Sequence, residues 1–537
     1  MSLTHSTHWQ ECLNAFAQAP ANATFTGILR GLEKESLRIT PQGKLAQTDH
    51  PLSLGSALKH PHITTDYSEA LLEFITEPFD NINALLQQLS DIHRFTYQQL
   101  AKNNERLWPA SMPCILPADP QIPVARYGST NSGIMKTIYR VGLGYRYGRS
   151  MQTIAGIHYN FSMPDDFWRE LQNLEGNNQP PQDFKTERYF ALIRNFRRNF
   201  WLLIYLFGAA PAVSDSFVAG RPHRLNAFGD DSHTQHLPYA TSLRMGDLGY
   251  QSDAQQALFV CYNNLSSYLK TLCGAITQIH PEYADIGVKD AQGNYHQLNT
   301  SLLQIENEFY SSIRPKRTTQ SGETALQALR LRGVEYIEVR CVDLNPYEPL
   351  GITAEQMHLL DAFLLYCLFS DSPQTSDEEY AEGQENQKRM VYFGRDPELQ
   401  LLRAGQEVNF QEWAKEILDG SLACASLLDQ ANGGDAYITA VKQQYAKLIN
   451  PTLTPSAQVL LDLQTQRKSF FEHTLSLAEQ HRAYFAEHPL NAEKAAQFHQ
   501  QAEISLAEQY QLEDSPQIAF DEYLANYYAQ YRGCSCG

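Results

Sequence analysis

The chain has 537 residues, 43% apolar and 11% aromatic, a globular composition. At about 150 residues per domain that is room for roughly three domains. Its 42 basic and 60 acidic residues leave a net charge of −18, which argues against a sequence-independent nucleic-acid surface. The same balance allows a small anionic ligand held by a few arginines and metal ions. The longest uncharged apolar run, FWLLIYLFGAAPAV at 200–213, is shorter than the roughly 18–20 residues that span a bilayer, and reads as a buried helix followed by a turn.

The opening MSLTHSTHWQECLNAF lacks both the basic and the apolar parts of a secretory signal. Nine scattered cysteines without a CxxC pair suit a reducing cytoplasm, and no membrane partner is expected. Cys534 and Cys536 of the terminal CSCG read as a tail, not a metal site. Residues 24–80 read as strand, turn, strand, and 82–106 has helical spacing through Leu85, Leu86, Leu89, Ile92 and Phe95. A Pro- and Gly-rich loop covers 108–133, and MQTIAGIHYNFSMP (151–164) alternates as a strand. Helices are predicted around 183–207 and 253–279; QLNTSLLQIENEFY (297–310) then leads into a basic loop, IRPKR. GVEYIEVRCVDLNP (333–346) is the last convincing strand.

After Phe369 the character changes. The acidic, turn-rich 371–387 reads as a linker or surface loop, and 407–530 is rich in Ala, Leu, Gln and Glu at helical spacing. The expected organisation is an α+β catalytic part (1–370), the acidic linker, and a mainly helical C-terminal part (388–537) packed on the first.

Four segments put polar groups where strands are usually apolar. Glu33 and Glu35 share a face in GLEKESLRI, and Asp66 and Glu73 bracket an apolar stretch in TTDYSEALLEF. His158 and Asn160 share a face in AGIHYNFS, as Glu338 and Arg340 do in the last strand. Singly, each has a plain explanation: a solvent-facing Glu-x-Glu, a satisfied core histidine, a helix cap, a surface ion pair. Together, if the polar faces align in one sheet, Glu33, Glu35, Asp66, Glu73 and Glu338 gather five carboxylates that cannot all stay ionised without cations. Oxygen-rich clusters with one histidine suit Mg²⁺ or Mn²⁺ bridging carboxylates to nucleotide phosphates. Two or three such ions would balance the charge, leaving Arg340 with Lys316 and Arg317 of the basic loop to meet phosphate oxygens. The usual nucleotide motifs are missing: there is no GxxxxGK[ST], and GLGYRYG (142–148) has its third glycine one position late for GxGxxG.

The segments RGLEKESLR, ITTDYSEALLEFIT, WPASMPC, MQTIAGIHYNFS, LPYATSLRMGDLGY, QIENEFYSSIRPKR and GVEYIEVRCVDLNP, in this order, resemble glutamate-cysteine ligase (γ-glutamylcysteine synthetase) in its bacterial monofunctional form. The resemblance implies a glutamine-synthetase-like curved antiparallel sheet with packed helices. It also implies ATP-dependent joining of the glutamate γ-carboxylate to the cysteine amine through γ-glutamyl phosphate. On the matching positions, Glu33, Glu35, Asp66, Glu73, His158 and Glu338 become metal ligands, Asn160 a polar support, and Arg340 a phosphate contact. Arg244 becomes the arginine for substrate glutamate, while Tyr139, Arg140, Tyr250 and Tyr310 surround cysteine. Tyr67 joins that wall by ring packing with an added hydroxyl. Arg340, Arg244 and Glu338 are thereby the groups nearest the chemistry. A related ligase with another acceptor amine, a metal-dependent phosphohydrolase, or a non-catalytic binding protein of the same fold are the competing readings. A monomer is expected, with no ATP-grasp module for a second ligation.

Overall fold

The computed structural model describes residues 6–249, 253–256 and 258–532. Seven strands form its principal sheet: β1 (Leu29–Ile39), β2 (Ile63–Thr65), β3 (Leu71–Ile75), β4 (Arg106–Leu107), β5 (Ile157–Ser162), β6 (Ile313–Lys316) and β7 (Tyr336–Val342). Their order is β2-β3-β1-β5-β7-β6, with β4 paired to the end of β1, and every pairing is antiparallel. The chain is therefore α+β, as its alternation predicts.

Period-two alternation divides the sheet into two unlike faces. Leu32, Phe74, Tyr159, Phe161, Ile337 and Val339 are buried on one of them. Withdrawing each such side chain from water contributes about 1.5–3 kcal/mol, which ties the sheet to the core behind it. The helices used below are α1 (Ile82–Leu100), α2 (Asn131–Tyr147), α3 (Pro181–Asn199), α4 (Ala354–Phe369), α5 (Asp377–Phe393), α6 (Phe410–Asn432), α7 (Ala436–Ile449), α8 (Ala492–Asp514) and α9 (Phe520–Ala529). Thr353 and Gln356 close a capping box at the start of α4, whose residues from Leu359 to Phe369 are all buried.

Behind the sheet, Asp361 of α4 pairs with Arg30 at 2.7 Å and accepts the Tyr159 hydroxyl at 2.6 Å. Tyr437 of α7 completes this buried group by accepting from Arg30 at 3.0 Å. The helical C-terminal part is thus bonded directly to the underside of β1 through Tyr437, which also donates to Asp361 at 3.3 Å. Lys34 lies on the same underside, 2.7 Å from His93 of α1 and 3.2 Å from the Ser36 hydroxyl.

Three local expectations change. IRPKR is not a loop, because residues 313–316 form β6 at the sheet edge, where Pro315 deprives no neighbouring strand of a hydrogen bond. The acidic stretch 371–387 is helical from Asp377, since Ser376 caps the Glu379 N–H and Asp377, Glu378 and Glu379 occupy the first turn, where carboxylates favour a helix. The helix predicted over 253–279 is interrupted, and its main part starts at Leu265 behind the Asn264 cap.

Candidate active site

The opposite face of the sheet carries the polar residues, and the strand register brings them into rows. Glu35 of β1 stands across from Glu73 of β3. Glu33 stands across from His158 of β5, and Asn160 is flanked by Gly31 and by Glu338 of β7. Arg314 of β6 lies beyond Glu338 in the same row. Directly opposed residues share a face, so chain segments more than a hundred residues apart converge on one pit.

Within the pit, His158 Nδ1 lies 3.1 Å from Glu33 Oε2, and Asn160 Nδ2 donates to Glu33 Oε1 at 2.9 Å. Glu33, Glu73 and His158 offer ligand atoms that all lie within 4.8 Å of one another. Glu35 Oε2 accepts the Gly156 N–H at 2.7 Å. Glu338 is 1% exposed and meets Arg340 at 3.1 Å and Lys316 at 3.3 Å. Asp66 sits in the turn between β2 and β3, and its carboxylate acts electrostatically on both Glu35 and Glu73.

The charges are unevenly compensated. Burial and then Asp66 push the Glu35 carboxyl up to about 8. Burial, followed by Glu33, Asp66 and Glu35, holds Glu73 well above the usual carboxylate range. Glu338 goes the other way: burial opposes its ionisation, but Lys316 and Arg340 bring it well below that range. His158 is lowered by burial and then by Arg340, which keeps the ring neutral near pH 7. A neutral ring whose Nδ1–H donates to Glu33 leaves the Nε2 lone pair free.

That lone pair gives the test of fit for a metal. His158 Nε2 is buried without a hydrogen-bond partner, as is Asn160 Oδ1. A buried acceptor nitrogen among carboxylates, its other nitrogen oriented by Glu33, matches the donor set and orientation of a histidine that ligates a divalent cation. The residues fit the ion.

Around the pit the other predicted residues take different places. Arg140 of α2 donates through Nε to the Asp66 carbonyl and lies over the Tyr127 ring at 4.6 Å. Tyr139 precedes it, its carbonyl accepting from Gln304 Nε2 at 3.1 Å. The Tyr310 hydroxyl accepts from Gln152 Nε2 at 2.8 Å. Tyr67 is 1% exposed, with its hydroxyl against α2 at Gly144, where a Cβ would come within 2.6 Å of it. Arg244 is packed behind Gly156, where a Cβ would fall 2.0 Å from its Nη2; this guanidinium donates to the Arg340 carbonyl at 2.8 Å. Asp343 balances Arg244 at 3.6 Å. Lys316 reaches the pit but Arg317 does not, being bonded to the Arg332 carbonyl at 2.9 Å and paired with Glu335 at 3.6 Å. Tyr250, Cys534 and Cys536 lie outside the described residues.

Sequence reading passed over Arg314, a buried cation opposite Glu338, although Arg314-x-Lys316 has the same i, i+2 signature as Glu33-x-Glu35. It also passed over the buried Arg146–Glu308 pair at 3.0 Å, which carries no local signal. A cavity of about 1160 Å³ lies beside α3 and α5 among Arg197, Glu379 and Tyr380, and Tyr310 and Gln255 also line it.

Residues 13–390 match the family model of glutamate-cysteine ligase. The glutamate-cysteine ligase of Saccharophagus degradans is 52% identical over 512 residues, covering 95% of this chain and 96% of that protein. The glutamate-cysteine ligase of Alcanivorax borkumensis is 50% identical over 529 residues, covering 97% and 99%. Among solved structures, the Francisella tularensis glutamate-cysteine ligase in complex with AMP superposes with a TM-score of 0.88 at 36% identity, covering 94% of this chain and 98% of the other. A bifunctional glutathione synthetase from Pasteurella multocida gives a TM-score of 0.68 at 26% identity, covering 90% of this chain and 54% of that one.

Proposed function

The chain belongs to the glutamate-cysteine ligase family, and from that premise we propose that it joins the γ-carboxylate of glutamate to the amine of cysteine, with conversion of ATP to ADP and phosphate, as the first step of glutathione synthesis. The observation that carries this reading is the unpartnered His158 Nε2 within a pit of carboxylates, flanked on one side by Lys316, Arg340 and Arg314. Two or three Mg²⁺ or Mn²⁺ ions, held by Glu33, Glu35, Asp66, Glu73, His158 and Glu338, would neutralise the triphosphate and the charge that develops during phosphoryl transfer.

A carboxylate oxygen is a poor leaving group, so the γ-carboxylate of glutamate first takes the γ-phosphoryl group of ATP. Arg244 orients glutamate from behind Gly156, and Lys316 and Arg340 meet the phosphate oxygens as charge moves toward ADP. The deprotonated amine of cysteine then attacks the γ-glutamyl carbon and phosphate departs. Arg140 and the tyrosines at 139 and 310 hold that amine acid and shield the acyl phosphate from water. The proposal takes a monomer as the catalytic unit. Among the described residues no helix is long and apolar enough to cross a membrane; a cytoplasmic location is part of the proposal.

The decisive experiment supplies ATP, Mg²⁺ and glutamate with a panel of amines and identifies the products. Expected are γ-glutamylcysteine with cysteine, and γ-glutamyl hydroxamate when hydroxylamine replaces it. Phosphate release indifferent to glutamate and cysteine would identify a phosphohydrolase, and a preferred product with another amine would reassign the acceptor.

A further inference from the structure

The C-terminal helix α9 lies on the outer side of α2, the helix that bears Tyr139 and Arg140. Leu524, Tyr527 and Tyr528 pack with Met135, Ile138, Tyr139 and Leu298 in a small apolar cluster, and Tyr139, Tyr527 and Tyr528 also touch the main core. The Tyr528 hydroxyl accepts from Asn299 Nδ2 at 2.8 Å and donates to the Gln304 carbonyl at 2.9 Å. Gln304 in turn donates to the Tyr139 carbonyl and lies against Gly142 of α2, where a Cβ would come within 2.3 Å of its amide oxygen. A side chain at 142 would force the Gln304 amide out of this position.

From Asn299 the connection runs inward. Its carbonyl accepts from Arg146 Nη2 at 2.8 Å, and Arg146 pairs with Glu308 at 3.0 Å, both side chains fully buried. Glu308 accepts the Tyr147 hydroxyl at 2.8 Å, and its carbonyl accepts from Gln255 at 2.9 Å. Gln255 receives the Tyr310 N–H at 3.1 Å. At the other end of α2, Gln517 accepts the Asn131 N–H at 2.6 Å, and the Ile518 carbonyl accepts from Asn131 Nδ2 at 2.9 Å. Farther along, Tyr531 bonds through its hydroxyl to Glu306. Segment 513–531 therefore grips the start and the middle of α2 and the loop 297–310, the two elements that present Tyr139, Arg140 and Tyr310.

We propose that this C-terminal segment is the outer brace of the acceptor pocket, and that Tyr528 is a positioning residue setting affinity for the amine acceptor. The proposal rests on the reading that Tyr139, Arg140 and Tyr310 surround cysteine. No residue of the segment touches the carboxylate pit among the contacts described, so binding of glutamate and ATP is independent of it.

The test compares Tyr528→Phe with Tyr310→Phe in the full-length protein, measuring KM for cysteine, glutamate and ATP, kcat and thermal midpoint. Loss of one hydrogen-bonding hydroxyl predicts that Tyr528→Phe raises the cysteine KM roughly three- to tenfold. The other KM values and kcat should stay within about twofold, the spread of a surface change. Gln517→Ala, at an exposed side chain, carries the same expectation and serves if Tyr528→Phe fails to fold. The proposal is overturned if these variants raise all three KM values alike, or if Tyr310→Phe raises the cysteine KM and they do not. If neither Tyr310→Phe nor Arg140→Lys moves the cysteine KM, the acceptor-pocket reading falls, and the proposal with it.

Discussion

Replacing Glu73 by Gln should act in opposite directions with and without divalent cations. Without them, Glu73 repels Glu33, Asp66 and Glu35, and its ligand oxygen lies within 4.8 Å of Glu33's. Two carboxylates at that separation repel by roughly 3–4 kcal/mol at an effective dielectric of about 20. Both are partly exposed, so solvent screening reduces this to about 2 kcal/mol. A chain of this length unfolds with an entropy of about 1.1 kcal/mol/K, so the chelated variant should melt about 2 °C higher than the parent. The pH dependence has a definite sign. A carboxyl raised above its unfolded value binds more protons in the folded state, so stability falls as pH rises through the interval, from 4.5 to about 8 for Glu35. Removing one raised carboxyl should make that decline shallower. With Mg²⁺ the order reverses: an ion at about a hundred times its Kd adds about 2.7 kcal/mol to the parent, and Glu73→Gln forfeits most of that together with turnover. Differential scanning fluorimetry in EDTA and in Mg²⁺, from pH 5 to 8.5, reads all three effects. A chelated variant that melts lower than the parent, or a full Mg²⁺ shift in the variant, would refute the reasoning.

Glu338→Gln should stay folded and lose Mg²⁺-dependent turnover by about ten- to a hundredfold, the range for removing a metal-supporting group; normal activity at saturating Mg²⁺ would take Glu338 out of the ligand set. Asp361→Asn leaves Arg30 buried beside a neutral amide, at a cost of roughly 3–5 kcal/mol. Its melting temperature should drop by about 3–5 °C on the same entropy scale. Asp361 lies behind the sheet, so kcat per folded molecule should be unchanged, and an altered KM for glutamate or ATP would count against that separation of faces. Burial draws Lys34 from its ordinary 10.5 down to about 7. The unfolded chain then binds more protons than the folded one between those values, and stability rises with pH across that window. Lys34→Met should be the more stable protein at pH 7, by about 2–4 kcal/mol, with the gap closing toward pH 10; parallel melting curves for the two proteins would show that Lys34 is not held neutral.

Period-two alternation was enough to find the polar face, because Glu33-x-Glu35, His158-x-Asn160 and Glu338-x-Arg340 each place two polar groups on one side of a strand. Register was not legible. That Glu33 meets His158, and that Glu35 meets Glu73, depends on tertiary pairing between distant strands, for which local spacing holds no information. Proline and three cations made IRPKR look like a loop, yet an edge strand accepts both. The acidic stretch after Asp371 has a turn-like composition, but Ser376 followed by three carboxylates is also what starts a helix. Arg146 and Glu308 each look like ordinary surface charges, and only folding buries them against one another.

The electrostatics of the sheet give the reaction a direction. At the β7–β6 end, Glu338 is already matched by Lys316 and Arg340, with Arg314 alongside, so this end offers cations to anionic oxygen without any ion bound. At the β3–β1 end, burial and the neighbouring carboxylates outweigh the attraction of Arg244 and Arg340 for Glu35 and of Arg140 for Glu73, and push both toward the protonated state. That end gains most from a divalent cation, because binding one replaces protons and mutual repulsion at once. His158 and Asn160 stand between the two ends, each with one buried unpartnered atom. On the proposed reading, a triphosphate laid across the sheet with its inner phosphates toward the arginines would bring its γ-phosphoryl group to that middle position. Arg244, packed behind Gly156 and bonded to the Arg340 carbonyl, is on the proposed reading the group that would hold the glutamate γ-carboxylate in line for transfer.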